Sequence, residues 1–278
     1  MTEYRKKLTL QEIQKVQISI LEQVDRFCKK NKITYFLTGG TLLGAVRHQG
    51  FIPWDDDIDI AMPRPDYHRF IALGAKGIGK NYRVVSFEQS SFHTRLYIKV
   101  INPDYLCIEQ YYTTSEQTFF GIDVFPVDGI PSNPMEFCRY FYKIRFLRKA
   151  FIFSQSRLGT GSTIIRRLLK YIPVLICNRI GGEYFYKKIY ETLKSYPYTK
   201  SDYAGIIIGY YGKKEICHRS AYDNLIALKF ENKEYPVLRN YKQYLTRLYG
   251  NYQLVPKEDH RMRHHSFEVY FCSISGDV

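Results

Sequence analysis

Three carboxylates at alternate positions, Asp55, Asp57 and Asp59, are the residues best equipped for chemistry in this chain. Read as a strand over residues 54–61, the spacing puts those acids on one face and Asp56, Ile58 and Ile60 on the other. Like charges placed so repel unless a cation lies among them, and an all-oxygen donor set suits a hard divalent ion, Mg²⁺ or Mn²⁺. Just upstream, Gly39-Gly40-Thr41 opens a short helix in which Leu42, Leu43 and Val46 fall at helical spacing and Gly50 marks the end. Glycines let backbone approach a ligand closely, and a helix start offers unpaired N–H groups to an anion. Carboxylates for a metal beside an anion cradle are the parts of phosphoryl or nucleotidyl transfer. An acidic run is often only a solvated loop and a GG pair only a turn, but Trp54, Ile58 and Ile60 interleave with the acids and imply half-burial.

A second landmark is Gly121-Ile122-Asp123-Val124-Phe125-Pro126-Val127-Asp128-Gly129. Asp123 stands among bulky apolar residues on an expected central strand. Buried there it needs a cation or strong donors, either an arginine or a metal shared with the acids above. Asp128, before a glycine, reads as a turn former. Arg47 and His48 close the short helix, where cations meet the dipole favourably; the alternative is that they reach a phosphate, Arg47 being the better bidentate partner. Lys99 alternates with Arg95 and Tyr97 on a strand over 94–101, as an ion-pair partner or as a cation neutralising a phosphate.

The string FLTGGTLLGAVRHQGFIPWDDDIDIAMPRPDY closely resembles the signature of the LicD family of phosphocholine transferases and, more distantly, fukutin-type ribitol-phosphate transferases. LicD-like sequences carry a similar GIDVFPVDG segment, and a hairpin of the form FEN-EYPV before a YLTRLYG-Y helix, then Pro256 and His264-His265. Leu238 stands where many relatives have proline. The likeness runs intermittently over residues 35–265. It implies a nucleotidyltransferase-like α/β (α+β) fold and transfer of a phospho-substituent from a CDP-activated alcohol to a glycan hydroxyl, with CMP leaving. On the residues themselves Asp57 and Asp59 would bind Mg²⁺, with Asp55 a further ligand or the base, and the resemblance implies that Asp123 completes the site. Gly39, Gly40 and Thr41 would hold the donor, and Arg47, His48 and Lys99 would meet its diphosphate. His264 and His265 are either phosphate or base contacts or surface residues. Phosphocholine from CDP-choline is the implied group, onto a capsule, teichoic acid or lipopolysaccharide precursor. Phosphoethanolamine, ribitol or glycerol phosphate and an aminoalkyl phosphonate remain open. So do two other classes: a nucleotidyltransferase moving NMP from an NTP, and a non-enzymatic basic membrane-binding protein.

Positioning these groups falls to a mixed sheet with flanking helices, in a single domain over 1–278 with a basic helical insertion at about 134–196. An amphipathic helix is expected over 10–30, a short strand over 33–37, and a helix capped by Asp66 running to about 75. Strands are expected over 82–87 and 94–101, with 105–110 as the hairpin mate of the latter. Beyond the insertion come a helix over 183–196, a strand over 204–210, a hairpin of 225–230 with 234–238, and a helix over 240–249.

At 278 residues the chain buries a large core, and a net charge of +14 points to anionic partners. Residues 137–182 contain ten Lys/Arg and no Asp or Glu, interleaved with aromatic and aliphatic residues. That composition suits an anionic membrane face, a cradle for an acidic or lipid-linked acceptor, or a solvated basic face. None of the familiar nucleic-acid-binding motifs occurs, so no nucleic-acid partner is expected. Six dispersed cysteines without a CxxC pair argue against a zinc site or a disulfide framework. No secretion leader and no apolar run of spanning length is read, so a cytoplasmic location, peripheral to the inner membrane face, is expected.

Overall fold

Thr9 and Glu12 close a capping box at the head of the first long helix, each side chain meeting the other's backbone N–H. The computed structural model describes residues 5–87, 95–109, 117–159, 164–256 and 267–272. After β1 (Arg5–Lys7), helix α1 (Leu10–Asn31) buries Ile13, Val16, Ile20, Leu21 and Val24, the stripe its periodicity predicts. Then come β2 (Phe36–Leu37), α2 (Gly39–His48), β3 (Asp59–Pro63) and α3 (Arg64–Gly74). Helix α2 ends at Gln49, which takes the left-handed conformation (φ 56°), one residue before the glycine expected to end it. Asp66 lies inside the first turn of α3 and accepts from Arg69, while the helix starts behind Pro63.

The central strands are longer than the sequence implies. β4 (Arg83–Val85) pairs with β5 (Ile98–Glu109), and β5 pairs with β6 (Gln117–Ile130). Residues 105–110 are therefore not the mate of 94–101: the chain runs on through Pro103 in one strand, its pairing register shifting between Ile101 and Leu106. β7 (Tyr203–Gly205) and β8 (Cys217–His218) extend the sheet, and β11 (Phe267–Cys272) pairs with β5 and β1. The path is β1-β11-β5-β6-β3-β2, and among the described residues only β3 and β6 are parallel. This is a mixed α/β sheet.

Downstream, β7 stops at Gly205, short of the expected 204–210, because the backbone turns at Ile206 to Gly209. α7 (Ser220–Asp223) precedes the hairpin of β9 (Leu225–Phe230) and β10 (Lys233–Leu238), which is followed by α8 (Tyr241–Tyr249).

Between β6 and β7 lie α4 (Pro134–Phe153), α5 (Ile164–Ile180) and α6 (Gly182–Lys194). They share a second apolar cluster, with Tyr140, Phe141, Ile144 and Phe151 meeting Phe185 and Ile189, apart from the main core under the sheet. No helix among the described residues is long and apolar enough to cross a membrane. All six cysteines are free.

Candidate active site

The parallel pairing of β3 with β6 sets Asp59 beside Asp123, and the antiparallel pairing of β5 with β6 sets Lys99 against Asp123 on its other side. Laterally paired residues in a sheet share a face, so two acids and a lysine form one row across three strands. Lys99 Nζ lies 3.1 Å from Asp123 Oδ1, an ion pair. The head of the row is pinned by backbone: the Asp59 N–H donates to Thr41 Oγ1 at 2.8 Å, the Thr38 N–H donates to the Asp59 carbonyl, and the Asp123 N–H donates to the Ile58 carbonyl. Thr41 is buried, and its hydroxyl oxygen accepts from the strand.

Residues 54–58 are not a strand, because β3 begins only at Asp59. They form a turn and loop in which the Asp55 N–H donates to the Ile52 carbonyl. Helix α1 holds that loop: Gln14 and Gln17 donate their side-chain amides to the carbonyls of Asp55 and Asp56, each at 2.9 Å. Without strand alternation Asp56 is not turned away. Carboxylate oxygens of Asp55, Asp56 and Asp57 come within 4.8 Å of one another. Burial and then the neighbouring Asp57 push the Asp55 carboxyl up to about 9. Asp59 is raised well above its ordinary value by burial, then by Asp57, Asp123 and Asp55, with Lys99 opposing the rise.

Gly39 and Gly40 lie directly against these acids. A Cβ on Gly39 would come 3.1 Å from Asp59 Oδ2, and one on Gly40 would come 3.0 Å from Asp55 Oδ2; Gly39 also has φ +54°. The N-terminal end of α2, its favourable end for negative charge, thus abuts the carboxylates. The gathered oxygens of Asp55, Asp56 and Asp57, beside Asp59 and Asp123 on the adjoining strands, are the donor type of a hard divalent cation, which the expected trio of Asp57, Asp59 and Asp123 could hold.

Arg47 and His48 are not brought to this place. They sit about 12 Å of helix axis from Gly39, at ~1.5 Å per residue. Arg47 donates to the carbonyls of Tyr252 and Leu254 and to His48 Nε2. His264 and His265 lie outside the described residues. Asp128 is buried on β6 and takes a two-pronged bond from Arg64 at 2.6 and 2.7 Å, so it is a structural ion pair and not a turn former.

Several neighbours of the site were not marked by sequence pattern. Burial and then the charge of Asp123 hold the Tyr97 hydroxyl protonated far above its usual range. Tyr211 and Tyr249 share a 2.8 Å hydroxyl hydrogen bond; burial raises both, and Asp59 is among the further causes. Behind α2, Thr38 bonds Tyr244, whose hydroxyl donates to Glu215 Oε1 at 3.0 Å. Only the YLTRLYG string could have flagged Tyr249; Tyr211 and Glu215 carry no local signature.

The mixed sheet thus sets carboxylates against the start of a glycine-led helix, groups suited to a hard cation and to an anion. Residues 32–158 match the family described as LicD/FKTN/FKRP, nucleotidyltransferase domain. The lipopolysaccharide cholinephosphotransferase LicD of Haemophilus influenzae is 30% identical over 271 residues, 95% of this chain and 99% of that protein. The chain belongs to the LicD family, and it is a transferase of phosphorus-containing groups. Shorter likenesses reach an uncharacterised protein of Rickettsia typhi (35% over 79 residues, 28% of this chain and 23% of that one) and one of Rickettsia prowazekii (49% over 47 residues, 17% of this chain and 18% of that one).

Proposed function

We propose that the protein transfers phosphocholine from CDP-choline to a hydroxyl of a cell-surface glycan precursor, releasing CMP. The observation that carries this reading is the end-to-end similarity to the Haemophilus cholinephosphotransferase, in a chain whose acids gather at one point. Asp57, Asp59 and Asp123 hold Mg²⁺ or Mn²⁺, which supplies positive charge for the oxygens of the transferring phosphorus centre. The acceptor oxygen bonds to the phosphorus distal to cytidine as that phosphorus parts from the bridging oxygen. CMP leaves with the bridging oxygen and its electron pair. Asp55, ionised when a cation sits among the acids and made more basic by its burial, takes the proton of the attacking hydroxyl. Lys99, already against Asp123, neutralises charge developing on the diphosphate. The Gly39-Gly40 backbone, set directly against the carboxylates of Asp59 and Asp55, receives the donor at the start of α2.

The test is CMP release from CDP-choline with Mg²⁺, with and without EDTA, beside Asp59→Ala and a panel of CDP-alcohols. Release abolished by EDTA and by the variant supports the reading. Preference for CDP-ethanolamine, CDP-ribitol or CDP-glycerol removes choline and keeps the chemistry. Turnover of NTPs alone, with no CDP donor used, replaces it with nucleotidyl transfer.

A further inference from the structure

The helix α5 presents its apolar side to water. Ile165, Leu168, Leu169 and Ile172 are 70%, 70%, 72% and 65% exposed. They fall at the spacing of one helix face, which Ile176 and Ile180, also exposed, continue. Val174 and Cys177, on the other side, are buried in the lobe. An ordinary surface helix does the reverse, with apolar residues inward and polar residues out. On the adjoining α4, Tyr142 and Phe146 are likewise exposed, one turn apart. A run of large apolar side chains on an otherwise polar surface marks a site of contact.

Charge identifies the partner. Residues 137–182 carry ten Lys/Arg and no Asp or Glu, and Lys170 and Arg179 on α5 itself are exposed. A second copy docking on this face would oppose two sets of like charges with no acid from the segment between them. An anionic lipid surface answers both features, with headgroups for the cations and acyl chains for the apolar stripe. At 17 residues α5 is about 26 Å long at ~1.5 Å per residue, shorter than a ~30 Å hydrocarbon core. That length suits a helix lying along an interface better than one crossing it.

We propose that α5, flanked by the exposed aromatic residues of α4, is an interfacial helix that docks the enzyme on anionic membranes. This goes beyond the transfer chemistry and stands without it. The test is flotation of the full chain with vesicles of phosphatidylcholine alone or with roughly one-third phosphatidylglycerol, at low and high salt. The comparison variant is Leu168→Gln/Leu169→Gln/Ile172→Gln, whose exposed positions leave the lobe's packing untouched. A thermal melt matching the unsubstituted protein checks that. The expected result is salt-sensitive binding at least about tenfold stronger to the anionic vesicles, and lost about tenfold in the triple variant. CMP release in free solution stays unchanged. Equal binding of the triple variant overturns the proposal, as does no preference for anionic lipid. An unsubstituted chain that dimerises at micromolar concentration without floating assigns the face to self-association instead.

Discussion

Asp59 and Asp123 are lateral partners on parallel strands, and the lysine opposite Asp123 places an ammonium 3.1 Å from one of its oxygens. The arrangement is electrostatically incomplete. Lys99 opposes the rise at Asp59, yet Asp59 is still raised well above its usual value by burial and its acidic neighbours. A group so placed favours either a proton or a metal.

The first prediction follows. With EDTA present, Asp59→Asn relieves burial of charge and repulsion, so its melting temperature is expected to equal or exceed that of the unsubstituted protein. Mg²⁺ is expected to raise the melting temperature of the unsubstituted protein by several degrees through binding to the folded state only. The variant loses most of that rise, and its CMP release falls by about a thousandfold or more. Calorimetric scans with and without the ion check this; an equal Mg²⁺ shift in both proteins removes Asp59 from the ligand set.

How much of this was legible from the chain depends on the distance over which each feature is decided. The spacing in α1 and the β9–β10 hairpin are local, and both stand where the pattern puts them. The GG and DDDID strings were legible because the motif is long and mixed in residue type. Misread features depend on distant partners. Residues 54–58 imitate a strand by alternating acids with Trp54 and Ile58, but the loop's conformation is held by Gln14 and Gln17 of α1. Asp128 imitates a turn by preceding glycine, yet its place on β6 is tied to Arg64, at the start of α3. Asn102-Pro103-Asp104 imitates a hairpin, while β6 pairs along both halves of β5 and β11 along the second.

Lys99→Met tests whether the ammonium does more than balance Asp123. Loss of a donor aimed at developing charge lowers kcat by about a hundredfold or more. Losing only a counter-ion leaves kcat largely intact and lowers the Mg²⁺ concentration needed, since Lys99 competes with the metal for carboxylate. The first result is expected. Mg²⁺ titrations of initial rates separate the two.

The glycine pair is tested by adding one carbon at a time. Gly40→Ala brings a methyl 3.0 Å from Asp55 Oδ2. The carboxylate end can move aside, so stability changes little while CMP release drops by about ten- to a hundredfold from misplacement. Gly39→Ala adds strain, because φ +54° costs a residue with a Cβ about 1–2 kcal/mol. It is expected to lower the melting temperature as well as the rate. Equal melting temperatures in both variants contradict that account.

Glu215 gives a pH signature away from the carboxylate cluster. Burial pushes it up to about 8 from 4.5, against the opposing Tyr244 hydrogen bond and the Arg148 charge. Between those values the folded chain holds a proton that the unfolded chain has released, so this contribution to stability is complete below pH ~4.5. It falls as pH rises and is gone above about 8. Glu215→Gln removes that slope while keeping an acceptor for the Tyr244 hydroxyl. Melting temperatures at pH ~5.5 and ~8.5 are expected to differ in the parent, with the acid side higher, and to differ less in the variant, in which the raised Asp55 and Asp59 keep the remaining slope.

Tyr210 offers a test of the transferred group that does not disturb the fold. Its ring is 93% exposed and stands edge-on to Tyr211 at 5.3 Å, which is in turn edge-on to Tyr249. Asp59 contributes to raising both of the latter hydroxyls, after burial, so this aromatic cluster lies within electrostatic reach of the reacting centre. A quaternary ammonium is recognised by aromatic faces, at about 0.5–1 kcal/mol for an exposed ring. Tyr210→Ala is expected to leave the melting temperature unchanged and to raise KM for CDP-choline by about two- to fivefold. KM for CDP-glycerol, which has no cation to place on the ring, stays where it was. An equal rise for both donors makes Tyr210 a general wall of the site, and no rise for either takes the choline head group elsewhere.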